Sequence, residues 1–178
     1  MRLLFLACFV FFLQAPLKLA AKPNIILVFI DDMGWGDFSC FGQKKFKTPS
    51  VDRMAKEGMK LTDFYSSSTV CAPSRCSLMT GMHTGHALVR GNKEIQPEGQ
   101  SPLADSAQTI PEVLKKAGYV SGMFGKWGLG APGSEGDPMN QGFDRFYGLN
   151  CQRQSHNFYP THVWSDRNKV QLDRKHYS

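Results

Sequence analysis

The sequence predicts an α/β fold in which helices flank a mostly parallel sheet. A largely β-branched apolar run spans 24–30, which is typical of a strand buried on both faces of a parallel sheet. Helix signals and short apolar segments then alternate along the chain. This order of strand, helix, strand, helix and strand favours right-handed crossover connections between parallel strands.

The first predicted helix follows a loop that is rich in glycine and aromatic residues. Thr48 is a suitable N-cap, Pro49 suits the first helical position, and Gly58 is a suitable end. Three apolar residues share one face of this helix: Val51, Met54 and Ala55. The apolar segment 59–65 that follows is predicted to be a second strand.

A second helix is predicted over 73–79, just after Cys71, and Gly81 provides its end. The next segment, 82–108, is polar and rich in turn-forming residues. Such a composition indicates a long loop between the second and third helices.

The third helix has the clearest signals. Thr109 and Glu112 have the spacing of a capping box, and Gly118 is a suitable end. Its apolar face consists of Ile110, Val113, Leu114 and Ala117. We expect a strand over 119–124 to follow it. From 128 onward Gly, Pro, Asn and aromatic residues predominate, and no helix or strand is predicted.

The first 21 residues have the composition of a secretory signal peptide. Arg2 precedes an apolar run over 3–13, and the small residues Ala20 and Ala21 provide a cleavage site. This run is too short to cross a bilayer, so we expect no stable membrane span. The signal predicts export to the periplasm, the extracellular space or the lysosome.

Lys and Arg outnumber Asp and Glu by 21 to 15, which gives the chain a formal charge of +6. Five basic and two acidic residues lie in 151–178, so much of the excess is at the end of the chain. A nucleic-acid-binding domain instead carries its basic residues on a folded face, interleaved with aromatic ones. We therefore expect no nucleic-acid partner.

Four cysteines remain after removal of the signal peptide: Cys40, Cys71, Cys76 and Cys151. In an oxidising compartment an even number is compatible with two disulfides. Their spacing is not that of a tight disulfide framework, and the pairing stays open. If one cysteine has a different role, at least one of the others is unpaired.

Two adjacent carboxylates, Asp31 and Asp32, follow the first predicted strand. Open α/β sheets bind their ligands beyond the carboxyl ends of the strands. Since adjacent carboxylates repel each other, a divalent cation such as calcium or magnesium would stabilise the pair. A solvated turn is the alternative, and for two aspartates considered alone it is the more common one.

The residues that open the second helix favour an oxyanion site with a reactive thiol. A helix N-terminus offers free amide groups and a partial positive charge, and Arg75 adds a guanidinium that can bind a tetrahedral anion through two hydrogen bonds. Cys71 is a candidate nucleophile there, although a buried cysteine or half of a disulfide is the alternative. Lys126, which alone is compatible with a surface charge, follows another apolar segment. Together these residues describe a pocket for a cation and an oxyanion.

The segment 71–81 reads CAPSRCSLMTG, which resembles the signature of the type I sulfatases, a family of formylglycine-dependent enzymes. Further segments occur in the order known for that family: PNIILVFIDDMGWGD at 23–37, TPSVDRMAKEGMKLTDFY at 48–65 and GKWGLG at 125–130. Within that family, the chain resembles sulfatases of the arylsulfatase and N-acetylgalactosamine-6-sulfatase type. The resemblance implies an alkaline-phosphatase-like α/β fold.

By its position in the signature, Cys71 is implied to be the residue that a formylglycine-generating enzyme oxidises to an aldehyde. One hydroxyl of the hydrated aldehyde attacks sulfur and expels the alcohol, and the second releases sulfate, so covalent catalysis divides the reaction into two steps. The resemblance implies that Asp31, Asp32 and the modified Cys71 bind a calcium ion. Arg75 would hold the modified residue, and Lys126 would bind the sulfate and neutralise its charge. The substrate would be a sulfated small molecule, such as an aryl sulfate, or a sulfated glycan.

One departure from the family pattern concerns the nucleophile. Many relatives have a histidine, in contact with the nucleophile, where this sequence has Gly128, so another group would have to serve. His156 is a candidate for lining the substrate site, as are His83 and His86. For each of them a surface histidine in a loop is the plainer interpretation.

A second departure is the length of the chain. Family members continue well beyond 178 residues and supply further calcium and sulfate ligands there. We therefore expect 22–150 to be the N-terminal part of a sulfatase catalytic domain and 151–178 an incomplete, basic and structureless continuation. Such an N-terminal fragment is not expected to be active alone.

Two alternatives to a partial sequence of an active sulfatase stay open. The first is a truncated, non-catalytic protein that keeps an anion-binding surface. The second is a phosphatase or phosphodiesterase of the same superfamily, whose members use Ser or Thr as nucleophile and two transition metals. The sequence around Cys71 argues against the second alternative.

Overall fold

The computed structural model describes residues 21–173. Apart from Ala21, the predicted signal peptide lies outside the described residues. The helices are α1 (Pro49–Glu57), α2 (Cys71–Thr80), α3 (Ile110–Lys116) and α4 (Gln152–His156), and the strands are β1 (Gly122–Lys126), β2 (Arg145–Leu149), β3 (His162–Ser165) and β4 (Asn168–Gln171). Two short 3-10 turns, Trp35–Asp37 and Ser39–Phe41, precede α1.

The four strands form one mixed sheet in the order β1-β2-β3-β4. β1 and β2 are parallel, with Lys126 paired to Leu149, whereas β2 and β3, and β3 and β4, are antiparallel. A two-residue turn at Asp166 joins β3 to β4, and only antiparallel neighbours can be joined so tightly. The α/β fold class is confirmed, but the sheet in the described residues is mixed rather than mostly parallel.

The two apolar segments predicted as strands, 24–30 and 59–65, are not strands in the structure. The apolar side chains of 25–30 are between 39% and 87% exposed. A strand needs a neighbour to accept its ladder of hydrogen bonds, and none of the strands described in 21–173 pairs with either segment. The prediction of a buried strand over 24–30 is therefore wrong for the described part of the chain.

The three predicted helices are confirmed. α1 begins after Thr48 and is capped by Gly58. None of its residues is fully buried: on the predicted apolar face, Val51 and Ala55 are half-buried and Met54 is exposed. α2 begins at Cys71, two residues earlier than predicted, and ends where Gly81 adopts a φ of 68°. At the start of α3, Thr109 and Glu112 form the predicted capping box.

The prediction of no helix or strand from 128 onward is wrong, because β2 lies at Arg145–Leu149. The prediction that 151–178 is structureless is likewise wrong for 151–173, which contains α4, β3 and β4. The strand predicted over 119–124 exists but lies later, at Gly122–Lys126. Among the described residues, none of the helices has the length and apolar character that a bilayer crossing requires. The cysteines Cys40, Cys71, Cys76 and Cys151 are all free thiols.

The core lies between α2, the sheet and the long loops, with Trp127 near its centre. Trp127 is 2% exposed, its Nε1 donates a hydrogen bond to the Gly136 carbonyl at 2.7 Å, and its ring meets the ring of Phe143 edge-on. The other buried apolar residues of this cluster are Ala72, Cys76, Ala87, Val89, Leu103, Ala107, Leu129 and Phe146. Because successive side chains of an extended segment point to opposite sides, burial of Trp127 directs the preceding Lys126 away from this core.

Candidate active site

Three separate segments bring Asp31, Cys71 and Lys126 into contact. Lys126 ends β1, Cys71 begins α2, and Asp31 follows the apolar segment 24–30. The Lys126 Nζ forms an ion pair with the Asp31 carboxylate and lies 3.5 Å from the Cys71 Sγ. The structure therefore assembles the acidic residue, the thiol and the lysine that were predicted from separate motifs.

Arg75 holds this arrangement together from within α2. Its Nη2 lies 3.3 Å from the Asp31 carboxylate, and its Nη1 donates a hydrogen bond to the main-chain carbonyl of Lys126. The guanidinium also lies over the ring of Phe29, at 5.5 Å from the centroid. Arg75 is only 9% exposed, so its charge is largely desolvated and is stabilised by these contacts.

The N-terminus of α2 is less open to an anion than the sequence indicates. The Ala72 amide donates to the side-chain Oδ1 of Asn92 at 2.9 Å, and Pro73 has no amide hydrogen. The amides of Ala72 and Ser74 thus bond within the protein, to Asn92 and to the Val70 carbonyl, and the side chains of Arg75 and Lys126 carry the positive charge of the site. Asn92 was not found from the sequence, because it lies in a loop with no motif of its own.

Asp31 is the negative group between these two cations. Partial burial raises the pKa of its carboxyl group, but the hydrogen bonds and positive charges of Lys126 and Arg75 outweigh that effect. The pKa of Asp31 consequently lies below its ordinary value, and the carboxylate form is favoured.

Asp32 has a different environment from Asp31. It is exposed, and its backbone adopts a φ of 53°. The oxygen donors of Asp31 and Asp32 suit calcium, which takes about six to eight oxygen ligands. Residues 21–173 contain no group of three or more His, Cys, Asp or Glu side chains that could hold a metal. The two carboxylates therefore fit part of a calcium site and do not complete one.

The structure brings His156 to the same place. Its Nε2 lies 3.2 Å from the Lys126 Nζ, although 30 residues separate the two in the sequence. The other candidate histidines, His83 and His86, are exposed in the loop that follows α2. Of the three candidates, His156 is the one found beside Lys126.

Gly128 lies two residues beyond Lys126 and has a φ of 78°. A Cβ atom on this glycine would lie 2.5 Å from the Nε2 of Gln152, which is 2% exposed. A side chain at 128 would thus be strained by the backbone and would also clash with Gln152. Sequence reasoning did not find Gln152, since nothing in the sequence indicates that it packs on Gly128.

The chain matches the family model described as Sulfatase over residues 23–173. It is 44% identical to human N-acetylgalactosamine-6-sulfatase over 137 residues, which are 72% of this chain and 26% of that protein. It is 42% identical to human arylsulfatase A over 140 residues, which are 77% of this chain and 27% of that protein. The chain thus spans about a quarter of the length of these relatives.

The fold is also similar to that of a solved protein described under the metabolism of multiple glycosaminoglycans by Bacteroides thetaiotaomicron. The TM-score is 0.71 and the identity 33%, over 85% of this chain and 32% of that one. These similarities support the alkaline-phosphatase-like fold expected from the motifs. The family model covers most of the chain, and the chain belongs to the sulfatase family.

Proposed function

We propose that this chain is part of an exported enzyme, and that the complete enzyme hydrolyses sulfate esters. The observation that carries the proposal is that Lys126 contacts both Cys71 and Asp31, and that Arg75 contacts Asp31 from the same side-chain cluster. A thiol in contact with a lysine ammonium, in a site that also contains an arginine, suits a reaction in which a nucleophile formed at Cys71 attacks an anionic group.

The charges at this site favour an anion with several oxygen atoms. The side chains of Arg75 and Lys126 are each 11% exposed, whereas that of Asp31 is 33% exposed. Charges that are largely removed from water act on a neighbouring anion more strongly than surface charges do. Lys126 is the cation nearest to Cys71 and would bind a sulfate oxygen, whereas Arg75 would keep Lys126 and Asp31 in position.

Cys71 is the residue that we propose to be converted to formylglycine by a formylglycine-generating enzyme. The hydrated aldehyde of formylglycine supplies a hydroxyl nucleophile, which a thiol side chain does not. Cys71 is half-buried at the first position of α2, its thiol contacts the Lys126 ammonium, and Arg75 follows one turn later on the same helix. These cations would favour the negative charge that develops as a sulfate ester reacts.

A calcium ion is the cofactor that we propose, with Asp31, Asp32 and the modified Cys71 among its ligands. When bound, calcium supplies a Lewis acid that polarises sulfate oxygens. Lys126 and Arg75 both form ion pairs with the Oδ2 atom of Asp31. These two ion pairs would fix the position of the carboxylate, and its Oδ1 atom would be the oxygen that binds the ion.

A sulfated carbohydrate is the substrate class that we propose. N-Acetylgalactosamine-6-sulfatase is among the similar proteins by name, and the solved protein from Bacteroides thetaiotaomicron is described in connection with glycosaminoglycans. The predicted signal peptide would bring the protein to compartments in which such glycans occur. An aryl sulfate can serve as a small-molecule substrate for measuring sulfate ester hydrolysis.

The test begins with the intact mass of the protein purified from its native source, followed by the mass of the peptide that contains Cys71. We expect that peptide to carry an aldehyde in place of the thiol. The same preparation should hydrolyse 4-nitrophenyl sulfate faster than 4-nitrophenyl phosphate. A Cys71→Ala variant should lose this activity, whereas Cys40→Ala, which changes a free thiol near α1, should keep it.

Three results would contradict the proposal. An unmodified thiol at Cys71 together with full activity would exclude the formylglycine route. Preferential hydrolysis of 4-nitrophenyl phosphate would favour a phosphatase. Binding of inorganic sulfate without turnover, by a protein whose mass matches a chain that ends at residue 178, would favour a non-catalytic anion-binding protein.

A further inference from the structure

The segment that follows β1 and the segment that follows β2 run side by side. Lys126 pairs with Leu149 in the parallel register, and the amide groups of Trp127 and Gly128 donate hydrogen bonds to the carbonyls of Leu149 and Asn150 at 2.9 and 3.2 Å. α4 begins two residues after Asn150. The position of α4 relative to Lys126 is therefore set by main-chain hydrogen bonds.

Two side chains of α4 face two residues of the segment that ends β1. Gln152 and His156 are four residues apart and share one face of the helix. Lys126 is the last residue of β1, and Gly128 follows it two residues later. His156 contacts the Lys126 ammonium, and Gln152 occupies the space beside Gly128 that a side chain would need.

α4 is fixed to the protein at its N-terminal end. Cys151 is fully buried and Gln152 is 2% exposed, and the amide of Gln152 donates to the side-chain Oε1 of Gln100 at 3.3 Å. A side chain larger than hydrogen at Gly128 would displace Gln152. Glycine at 128 thus allows α4 to pack closely and keeps His156 within reach of Lys126.

The Lys126 ammonium has three N–H donors and no acceptor. Within the described residues its Nζ meets three partners, which are Asp31, Cys71 and His156. The His156 Nε2 must therefore accept the hydrogen bond, and the nitrogen that accepts carries no proton. The proton of the imidazole is then on Nδ1.

We propose that His156 is a positioning residue for Lys126, and that Gly128 and Gln152 allow it to act by fixing α4. By accepting one hydrogen bond from the ammonium, His156 keeps another N–H directed at the Cys71 position, where the sulfate group would bind. The proposal rests on the proposed function for the identity of the anion. Its geometric part, the contact between His156 and Lys126, can be tested separately.

The first test reads the tautomer of His156 by nitrogen–proton correlation NMR on the full chain with labelled histidine. We expect the proton of His156 on Nδ1 in the parent protein. In a Lys126→Met variant the ammonium is absent, and the proton should redistribute between Nδ1 and Nε2. A proton on Nε2 in the parent protein, or a His156 signal that Lys126→Met leaves unchanged, would overturn the inference.

The second test measures affinity for inorganic sulfate by titration calorimetry. His156→Leu removes the acceptor and should weaken the affinity by about tenfold, the effect of one hydrogen bond to a charged group. His156→Gln keeps an acceptor oxygen and should restore most of the affinity. Gln108→Leu, which makes a similar polar-to-apolar change at an exposed position just before α3, is the control and should bind as the parent does.

The outcomes separate this inference from the proposed function. If sulfate esters are hydrolysed and His156→Leu equals the parent in kcat/KM and in sulfate affinity, the inference fails while the proposed function stands. If no sulfate ester is hydrolysed but the tautomer and the affinity respond as expected, the proposed function fails while the role of His156 stands. If the protein binds no sulfate, the tautomer measurement alone decides.

Discussion

The ammonium group of Lys126 lies 3.5 Å from the thiol of Cys71, although 55 residues separate them in the sequence. The contact joins the last residue of β1 to the first residue of α2. Two features fix the position of Lys126. The adjacent Trp127 is buried, and Arg75 donates a hydrogen bond to the Lys126 carbonyl. The charge that faces the thiol is therefore held by the core and does not depend on a flexible surface side chain.

Replacing Lys126 by methionine is expected to lower kcat/KM for 4-nitrophenyl sulfate by about 100- to 1,000-fold, as is typical when one preorganised donor to a developing charge is removed. Methionine keeps much of the apolar stem but lacks the charge. Lys115→Met is the matched control, because Lys115 is 60% exposed and pairs with Asp144 outside the site. Equal activity losses in the two variants would contradict a specific role for Lys126.

The helices of the fold were predictable because their ends have local chemical signals. Thr109 with Glu112, and Gly81, mark helix boundaries through hydrogen bonds made within a few residues. The apolar segment 24–30 has an equally clear pattern, yet its hydrogen-bonding groups depend on a neighbouring strand. The apolar pattern of a sequence predicts which side chains favour burial, but it does not show which other segment of the protein would cover them.

The site residues that belong to a sequence motif were predictable. Those that reach the site only through tertiary packing were not. Cys71 and Arg75 follow from one short signature, and the structure places Cys71 beside Lys126 and Arg75 beside Asp31. Asn92 lies in the long loop after α2, and its side chain bonds back to the start of that helix. α4 is only five residues long, which is too short for a periodic pattern, so the contact of its last residue with Lys126 could not be derived from spacing.

Thr109→Ala is expected to lower the free energy of unfolding by about 1–2 kcal/mol, the upper part of the range for loss of an N-cap. Thr109 is fully buried, and its hydroxyl donates to the Gln141 carbonyl at 2.8 Å in addition to its part in the capping box. Urea denaturation would measure the change. Thr109→Ser should keep most of the stability, and Thr62→Ala, at an exposed position, should cost less than about 0.5 kcal/mol.

A cluster around Glu98 connects a loop to the β3–β4 hairpin. Trp164 Nε1 donates to the Glu98 carboxylate at 2.7 Å, His162 Nε2 lies at 3.0 Å and Lys169 Nζ at 3.5 Å. Burial raises the pKa of Glu98, but the hydrogen bonds from Trp164 and His162 and the charges of His162 and Lys169 lower it below its ordinary value of 4.5. The folded state thus favours the carboxylate.

Glu98→Gln is expected to destabilise the fold at neutral pH by about 1.5–3 kcal/mol, because it removes the charged acceptor from these hydrogen bonds. A carboxyl group whose pKa is lower in the folded state contributes its full stabilisation above the ordinary pKa and loses it as pH falls through the folded value. The difference between parent and variant should therefore shrink as the pH is lowered below about 4.5. Urea denaturation across this range would measure it.

Glu57→Gln is the matched control, since Glu57 is exposed at the last position of α1. It should change the free energy of unfolding by no more than about 0.5 kcal/mol at either pH. A difference for Glu98→Gln that stays constant from neutral to acidic pH would show that packing, and not the charge of Glu98, stabilises the hairpin.

Substitutions at two glycines separate two contributions to stability. One is the close packing of Gly128 against α4, and the other is the cost of a side chain on a left-handed backbone. Gly128 and Gly133 have φ values of 78° and 74°, but a Cβ on Gly133 would meet nothing within 4 Å, whereas one on Gly128 would lie 2.5 Å from Gln152. Gly133→Ala should therefore lower the free energy of unfolding by about 1–2 kcal/mol, the cost of the backbone conformation alone. Gly128→Ala should cost about 1–3 kcal/mol more, because Gln152 must also move.

In a Gln152→Ala background the extra cost of Gly128→Ala should disappear, so that the substitution costs no more than Gly133→Ala does. Such non-additivity is expected when two side chains compete for one space, and a double-mutant cycle measured by urea denaturation would quantify it. If Gly128→Ala costs the same with and without Gln152, the close approach of α4 does not depend on glycine at 128. The packing argument for the position of His156 would then have to be abandoned.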